Sequence, residues 1–326
     1  MDHLREFVEA NDGFATKRQL VARGATDRML TAAVRWGSLT RVRNGWYTTR
    51  HADEPTVRAI RVGGRLTGMS ALRELGVWEW HRPPVLHVAV RRRDSRLRRQ
   101  DDRRKRYEPG RDPRLRVHWE ADDRGDAGTV WAVPLLDALA RVVLDESFET
   151  AVIALDWALA TGRIDMIDVH RILAHAPRDR RAIADWVSDA SHSILESRTR
   201  VRLRERGLQV RTQAWVSAEA SPADLIVEET VMVETDGTQF HVGRFETDRR
   251  KDLSATRAGL HALRPTWSMV RDEWDQVESA VLTALTLRLG SAHVATCLAR
   301  AVGNSGLRVR MRRATRRPPA RAAPSS

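Results

Sequence analysis

The sequence predicts a multi-domain α/β protein. Its 326 residues suggest two or three domains at about 100–200 residues each. Hydrophobic residues make up 42% of the chain, which is enough for several cores and excludes wholesale disorder. Helix caps and glycine stops alternate with short apolar runs typical of strands. The predicted segments are 1–55, 56–180, 181–290 and 291–326.

Cysteine content and hydropathy exclude several classes of protein. A single cysteine, Cys297, excludes a disulfide framework and predicts no Cys-based zinc site. No secretory signal is visible at the start of the chain. The most apolar stretch, Ala280 to Ala299, contains Arg288, Gly290 and His293, so it predicts a buried or amphipathic helix rather than a membrane span. We therefore expect a cytoplasmic protein with no membrane partner.

The positive charge is concentrated in two places. Only three of the 56 basic residues are lysines, and such an arginine bias often reflects a GC-rich genome. Residues 91–116 and residues 300–326 each carry a net charge of +8 within a chain total of +13. Such segments attract polyanions by releasing counterions. The alternative is that residues 91–116 form a solvated loop and residues 291–326 a helix end with a disordered basic tail.

The first 50 residues show the order of a winged helix-turn-helix. Leu4 to Ala10 is amphipathic, and Thr16 and Thr26 are suited to cap two further helices that end near Arg23 and Trp36. Leu39 to Thr49 alternates around Asn44-Gly45, a hairpin turn signal. In this arrangement of three short helices and a hairpin, one helix can enter a DNA groove while the hairpin, or wing, lies beside the DNA backbone.

Five polar residues are predicted to contact DNA from this domain. Three share the exposed side of the third helix and two lie in the wing. The alternative is a small protein-interaction domain of the same fold, because winged helices also mediate protein contacts. The predicted DNA-binding residues are Arg28, Thr31, Arg35, Arg41 and Arg43.

The middle segment, residues 56–180, is predicted to be mixed α/β with an arginine-rich insert at residues 91–116. Met69 to Leu75 is helical in pattern, Val85 to Val90 and Leu115 to Trp119 are strand-like, and helices begin at Pro134 and Phe148. Its histidines lack the tight spacing of metal ligands, so structural roles are expected. These histidines are His81, His87, His118, His170 and His175.

The last third predicts a compact α/β unit. A helix from Ser193 to Arg206 precedes an extended segment and two apolar strands, which are joined by a short turn. A charged helix, two short extended pieces and a closing helix follow. The predicted elements after the first helix are Leu208–Val216, Ala223–Val227, Val231–Glu234, Phe245–Ala258, His261–Leu263, Ser268–Val270 and Asp272–Leu289.

Carboxylates converge at one end of this unit. Asp224 starts one strand and Glu234 ends the next, and in an antiparallel pair these positions are neighbours. Asp236 follows in a turn and Glu196 projects from the preceding helix. Carboxylate oxygens of this kind bind Mg²⁺, which can activate a water molecule and stabilise the leaving oxygen of a phosphodiester. His241 is near enough in sequence to act as a base or to hydrogen-bond the scissile phosphate. The alternative is that these acidic residues are ordinary strand-end and turn residues.

The segment Glu196…Ala223-Asp224-Leu225-Ile226-Val227…Val233-Glu234-Thr235-Asp236-Gly237…His241 resembles the very-short-patch-repair-like branch of the PD-(D/E)XK nuclease superfamily. The resemblance spans about Ser188 to Leu289. It implies a restriction-endonuclease-like α/β domain that hydrolyses DNA phosphodiesters with Mg²⁺ or Mn²⁺. It carries over Glu196, Asp224 and Glu234 as metal-site acids, with Asp224 and Glu234 as metal ligands and Asp236 and His241 as accessory catalytic residues.

The segments DGFATKRQL (residues 12–20) and RNGWY (residues 43–47) are similar to the winged-helix domain of AbiEi-type antitoxins. TGMSAL (residues 67–72) and ALDWAL (residues 154–159) look like the region that follows that domain. The resemblance implies repression of the protein's own operon, with DNA as a partner and a neighbouring toxin or self-association as further ones.

One position departs from the nuclease pattern. The superfamily's usual lysine falls two residues after Glu234, where this chain has Asp236. Lys251 or Arg249 could reach in from the next helix, but both are expected to face solvent or phosphate. Three hypotheses follow: a metal-dependent DNA endonuclease, a repressor or antitoxin with a catalytically idle nuclease-like domain, and an RNA-processing enzyme.

Overall fold

A computed structural model describes residues 2–80, 85–120, 127–216, 222–235 and 245–301. The protein is mixed α/β and divides into two compact units. The first unit comprises residues 1–76 and 80–141, and the second comprises residues 77–79 and 142–326. Among the described residues, no helix has both the length and the apolarity required to cross a membrane.

The beginning of the first unit contains the three predicted helices and the predicted hairpin. Thr16 and Gln19 form a reciprocal capping box, and the Thr26 side chain caps the third helix, so both predicted caps are confirmed. A short strand that the pattern did not predict pairs antiparallel with the hairpin to give a sheet of order β1-β3-β2. The elements are α1 Asp2–Ala10, β1 Phe14–Thr16, α2 Lys17–Ala22, α3 Asp27–Arg35, β2 Thr40–Arg43 and β3 Trp46–Thr48.

The rest of the first unit builds a second three-stranded sheet of order β4-β5-β6, in which β5 and β6 are parallel. Parallel strands need a long connection, and the arginine-rich stretch supplies it. Leu97 and Gln100 within that stretch are buried, so part of it is docked rather than solvated. The elements are α4 Pro55–Val62, β4 Arg65–Leu66, α5 Gly68–Glu74, β5 Leu86–Arg91, β6 Leu115–Glu120 and α6 Leu135–Asp145, whose last residues belong to the second unit.

The second unit contains a four-stranded sheet of order β10-β9-β8-β7. Its central strands β8 and β9 form an antiparallel hairpin, and β10 is parallel to β9. Residues 291–301 are helical and follow the break at Gly290. The elements are α7 Phe148–Ala160, α8 Met166–Ala174, a 3₁₀ helix Arg181–Asp185, α9 Ile194–Glu205, β7 Val210–Ala214, β8 Ala223–Val227, β9 Val231–Val233, α10 Phe245–Arg257, β10 His261–Leu263, α11 Trp267–Asp272 and α12 Trp274–Leu289.

A buried ion pair joins α7 to α9. Arg200 Nη2 lies 2.5 Å from Asp156 Oδ2, and both side chains are almost fully buried. The other carboxylate oxygen of Asp156 accepts a hydrogen bond from the Ser188 amide. Both helices belong to the second unit, which takes residues 142–180 of the predicted middle segment 56–180.

The segment around Val270 and the break between the units differ from the predicted pattern. The segment Ser268–Val270 is helical, not extended, because Thr266 caps α11 through the Met269 amide. The unit break after Arg141 coincides with none of the predicted boundaries at residues 55, 180 and 290. The predicted tail, residues 303–326, and His81 lie outside the described residues.

Candidate active site

The hairpin of β8 and β9 brings Asp224 and Glu234 together. The strands pair with Leu225 opposite Val233, so the start of β8 lies beside the residue that follows β9. The Asp224 amide donates a 3.2 Å hydrogen bond to Glu234 Oε1. This contact holds the Glu234 carboxylate beside the first residues of β8, at the open end of the hairpin.

The Asp224 carboxylate is held by the residue after Glu234. Its Oδ2 accepts hydrogen bonds from the Thr235 amide at 2.8 Å and the Thr235 hydroxyl at 3.0 Å. Both bonds use the same oxygen, and no described residue donates to Oδ1. One oxygen of Asp224 therefore orients the side chain while the other is available to a ligand.

Glu196 approaches from the first turn of α9. Ser193 caps this helix by accepting from the Glu196 amide, and Glu196 Oε2 accepts from the His192 amide at 3.0 Å. The Gln213 side chain on β7 donates to the same oxygen at 3.0 Å. Glu196 thus contributes to helix capping and also interacts electrostatically with Asp224.

Lys251 supplies the positive charge of this cluster. It lies on α10 and its Nζ donates to Glu234 Oε2 at 2.7 Å and to the Pro222 carbonyl at 2.6 Å. Its side chain is only 8% exposed. The expectation that Lys251 faces solvent or phosphate is therefore wrong. Arg249 has a 66% exposed side chain, 4.0 Å from the Asp252 carboxylate.

Among the described residues, the carboxylates of the cluster outnumber its one ammonium group. Burial, and then the negative charge of Asp224, raise the pKa of Glu234 to about 7 even though Lys251 opposes the shift. Burial also raises the pKa of Glu196, again with a contribution from Asp224. Three carboxylates share one ammonium group, so an added cation would stabilise their ionised forms.

The donor set fits a hard divalent cation. Carboxylate oxygens are the ligands that Mg²⁺ prefers, and Mg²⁺ is commonly bound through one or two carboxylates with several waters retained. Among the described residues, Glu196, Asp224 and Glu234 do not bring three oxygens within 4.8 Å of one another. Asp224 and Glu234 are adjacent across the hairpin through the Asp224 amide, so they are the two carboxylates that we assign to an ion.

The first unit carries the residues predicted to contact DNA. Arg28, Thr31 and Arg35 are exposed together on α3, although the Thr31 hydroxyl is engaged with the Asp27 carbonyl. On the wing, Arg41 donates to the Asn44 side chain at 2.6 Å. Arg43 donates to the Arg96 carbonyl at 3.2 Å, and burial lowers its pKa. The two helix arginines are thus more exposed than the two wing arginines.

Two histidines of the middle segment, His87 and His118, lie side by side in the first unit. His87 and His118 stack on β5 and β6 with ring nitrogens 3.3 Å apart. Burial lowers the pKa of His87 to about 4 and that of His118 to about 3, and nearby arginines add to the shift. Both rings are therefore neutral at pH 7.

The sequence analysis named Lys251 as a residue that could reach the site but favoured an exposed position for it, and it did not name Gln213. Lys251 is the only lysine after residue 105, and it lies four residues before the buried Ala255 on the same helix face. Its rarity and its place on the buried face could have indicated it. Asp236 and His241 lie outside the described residues.

Comparison with protein-family models and with curated proteins gives no match to this chain.

Proposed function

We propose that the protein is a cytoplasmic, DNA-binding endonuclease that hydrolyses phosphodiester bonds with Mg²⁺ or Mn²⁺. The second unit would be a nuclease domain of the PD-(D/E)XK type. The N-terminal helices and hairpin would be a winged helix-turn-helix that delivers it to DNA. The single observation that supports the proposal most directly is the cluster of buried Glu196, Glu234 and Lys251 with half-buried Asp224 at the open end of the β8–β9 hairpin.

Each residue of the cluster would have a distinct task. Asp224 and Glu234 would hold the divalent ion, which supplies charge neutralisation and activation of water when bound. Lys251 would offer an ammonium donor to the developing negative charge on the phosphate, because it is already held at the carboxylates by two hydrogen bonds. Glu196 would orient a water molecule through its second oxygen.

A repressor or antitoxin with an idle nuclease-like domain is the second candidate. Converging carboxylates repel one another without a cation, and this repulsion favours a metal-binding role over an idle one. The ion pair between Lys251 and Glu234 supports the alternative, because an internal ammonium group offsets part of the repulsion. The exposed arginines of α3 are compatible with both candidates.

The direct test is cleavage of a supercoiled plasmid by the purified full-length protein with Mg²⁺, with Mn²⁺ and with chelator. We expect metal-dependent nicking or linearisation by the wild type. Glu234→Ala and Asp224→Ala are expected to abolish it while leaving the fold intact. An RNA substrate assayed in parallel separates DNA cleavage from RNA processing.

Glu229→Gln is the matched control for these variants. Glu229 lies on the same hairpin at the turn end, where it pairs with Arg211 in an exposed contact. The Glu229→Gln variant should cleave plasmid at the wild-type rate. Binding of DNA without cleavage by the wild type under any metal condition would favour the repressor. Normal cleavage by both acid variants would show that the cluster is not the active site.

A further inference from the structure

A second group of ligand atoms lies in the same unit at the opposite end of the β8–β9 hairpin. Glu228, His293 and Cys297 each place one ligand atom within 4.8 Å of the other two. Nε2 of His293 is 3.4 Å from Glu228 Oε2, and Cys297 Sγ lies within 4.8 Å of the ligand atoms of both residues. Carboxylate, imidazole and thiol are all zinc ligands.

The turn that carries Glu228 has an uncommon backbone. Glu228 and Glu229 have φ values of +46° and +52°, a left-handed conformation that costs energy for residues with a Cβ. The Gln209 amide donates to Glu228 Oε1 at 2.8 Å. The Glu228 side chain is only 7% exposed. Its position is therefore set by the turn and by Gln209, the residue that precedes β7.

The helical residues 291–301 supply the other two ligands. His293 and Cys297 are four residues apart, so they lie on the same face of this helix. The helix approaches Gly207 closely, and a Cβ at Gly207 would lie 2.2 Å from the Cys297 carbonyl oxygen. Cys297 is buried, whereas the His293 side chain is 41% exposed and leaves an approach from solvent.

We propose that Glu228, His293 and Cys297 form a binding site for a zinc-like transition metal ion. Three protein ligands with sulfur, nitrogen and oxygen donors suit Zn²⁺, and a water molecule completes four-coordination. Sites built from several thiolates are excluded in this chain, but a mixed donor set needs only one cysteine. On binding, the thiol proton is released to solvent and the thiolate forms the metal–sulfur bond.

The charge around the cluster also changes on binding. Arg300 Nη1 is 3.6 Å from Glu228 Oε1, so this guanidinium partly neutralises the carboxylate before metal arrives. The ion would replace that contact, and Arg300 has a 44% exposed side chain that can turn toward solvent. The bound ion would tie residues 291–301 to the turn of the hairpin whose other end carries Asp224 and Glu234.

Titration of the reduced full-length protein with Co²⁺ tests this site. A thiolate bound to Co²⁺ gives a near-ultraviolet charge-transfer band, and Cys297 is the only cysteine that can produce it. We expect a band that saturates at one equivalent and disappears when Zn²⁺ is added. The band reports Cys297 alone, so the outcome is independent of metal bound at Asp224 and Glu234 and of any nuclease activity.

Variants define the ligand set. Cys297→Ser should remove the band, and His293→Ala and Glu228→Gln should each weaken Co²⁺ binding by at least about 10-fold. His170→Ala is the matched control, since His170 is an exposed helical histidine with Nδ1 at 2.6 Å from the Met166 carbonyl. Circular dichroism of each variant separates loss of a ligand from loss of fold.

Three results would overturn the proposal. The first is the absence of a band in the reduced wild type. The second is a band that is unchanged when both His293 and Glu228 are replaced in variants that remain folded. The third is a band that rises with the square of protein concentration, because that result means that two chains share one ion through their Cys297 residues.

Discussion

Lys251 Nζ lies 2.7 Å from Glu234 Oε2, and both side chains are 8% exposed. The lysine comes from α10, 17 residues after the strand-end glutamate. In the nuclease pattern that the sequence resembles, a lysine falls two residues after Glu234, where this chain has Asp236. The ammonium group beside Glu234 comes instead from Lys251 on α10. The composition of the cluster is therefore determined by tertiary structure rather than by the local motif.

Replacement of Lys251 by methionine is expected to lower the rate of DNA cleavage about 100-fold or more at saturating Mg²⁺, because one charged donor is lost from the site. Methionine keeps the length and apolar stem of lysine without its charge. The Mg²⁺ concentration at half-maximal rate should fall or stay the same, since the competing cation is gone. Plasmid cleavage measured over a Mg²⁺ series checks both quantities.

Arg257→Met is the control for Lys251→Met, because Arg257 is an exposed cation on the same helix. Its cleavage rate should equal that of the wild type. A Lys251→Met variant that cleaves normally would assign the ammonium group to charge balance in the fold and not to the reaction.

Glu234→Gln is expected to change how stability depends on pH. Folding raises the pKa of Glu234 from 4.5 to about 7, so between these values the native state holds a proton that the unfolded chain has released. Native stability therefore falls as pH rises through this window and is level above it. The wild type should lose up to about 3 kcal/mol relative to Glu234→Gln between pH 5 and pH 8.

Urea denaturation in the presence of chelator, at several pH values from 5 to 8, measures this difference. Glu229→Gln is the control, since Glu229 has a 63% exposed side chain and its curve should run parallel to the wild type. Parallel curves for Glu234→Gln and wild type would mean that Glu234 is ionised throughout the range.

Local patterns were sufficient for most of the elements that position the site. Thr16 and Thr26 were recognisable caps, and each accepts the expected amide hydrogen bond. The convergence of Asp224 and Glu234 follows from the antiparallel pairing of two consecutive strands, so it was predictable as well. These features depend on residues that are close in sequence.

Long-range packing accounts for what the sequence did not predict. Lys251 reaches Glu234 and Gln213 reaches Glu196 only because α10 and β7 pack beside the hairpin. The pair of Asp156 and Arg200, 44 residues apart, likewise links α7 to α9 in a way that no local pattern indicates. Neither partner stands out in a chain so rich in charged residues.

The ion pair of Asp156 and Arg200 should be strongly coupled energetically. Burial raises the pKa of Asp156 while Arg200 lowers it, so each partner compensates the other's desolvation. Asp156→Asn alone is expected to cost about 3–5 kcal/mol, because it leaves Arg200 as an uncompensated buried charge. The double variant with Arg200→Leu should cost less than the sum of the two single changes.

A double-mutant cycle by urea denaturation measures this coupling. The exposed pair of Arg211 and Glu229, 2.6 Å apart, is the matched control and should give a coupling of about 1 kcal/mol or less. Equal couplings for the two pairs would show that burial adds nothing to the interaction of Asp156 with Arg200.

The exposed arginines of α3 are expected to contribute more to DNA affinity than the half-buried arginines of the wing. Arg28 and Arg35 lie exposed on one helix, whereas Arg41 and Arg43 donate to neighbouring oxygens of the protein. Each phosphate contact that is lost reduces the slope of log affinity against log salt by about one. The double variant Arg28→Ala/Arg35→Ala should therefore lower the slope by about two.

Fluorescence anisotropy with a labelled DNA duplex over a range of salt concentrations gives these slopes. Arg5→Ala is the control for charge alone, because Arg5 is also exposed but pairs with Glu9 at 2.8 Å on α1. It should leave the slope close to that of the wild type. Unchanged affinity and slope in the Arg28→Ala/Arg35→Ala variant would exclude α3 as a DNA-contacting helix. That outcome would assign the N-terminal helices and hairpin to protein interaction, and the proposed nuclease would then have to bind DNA through the surface of the second unit.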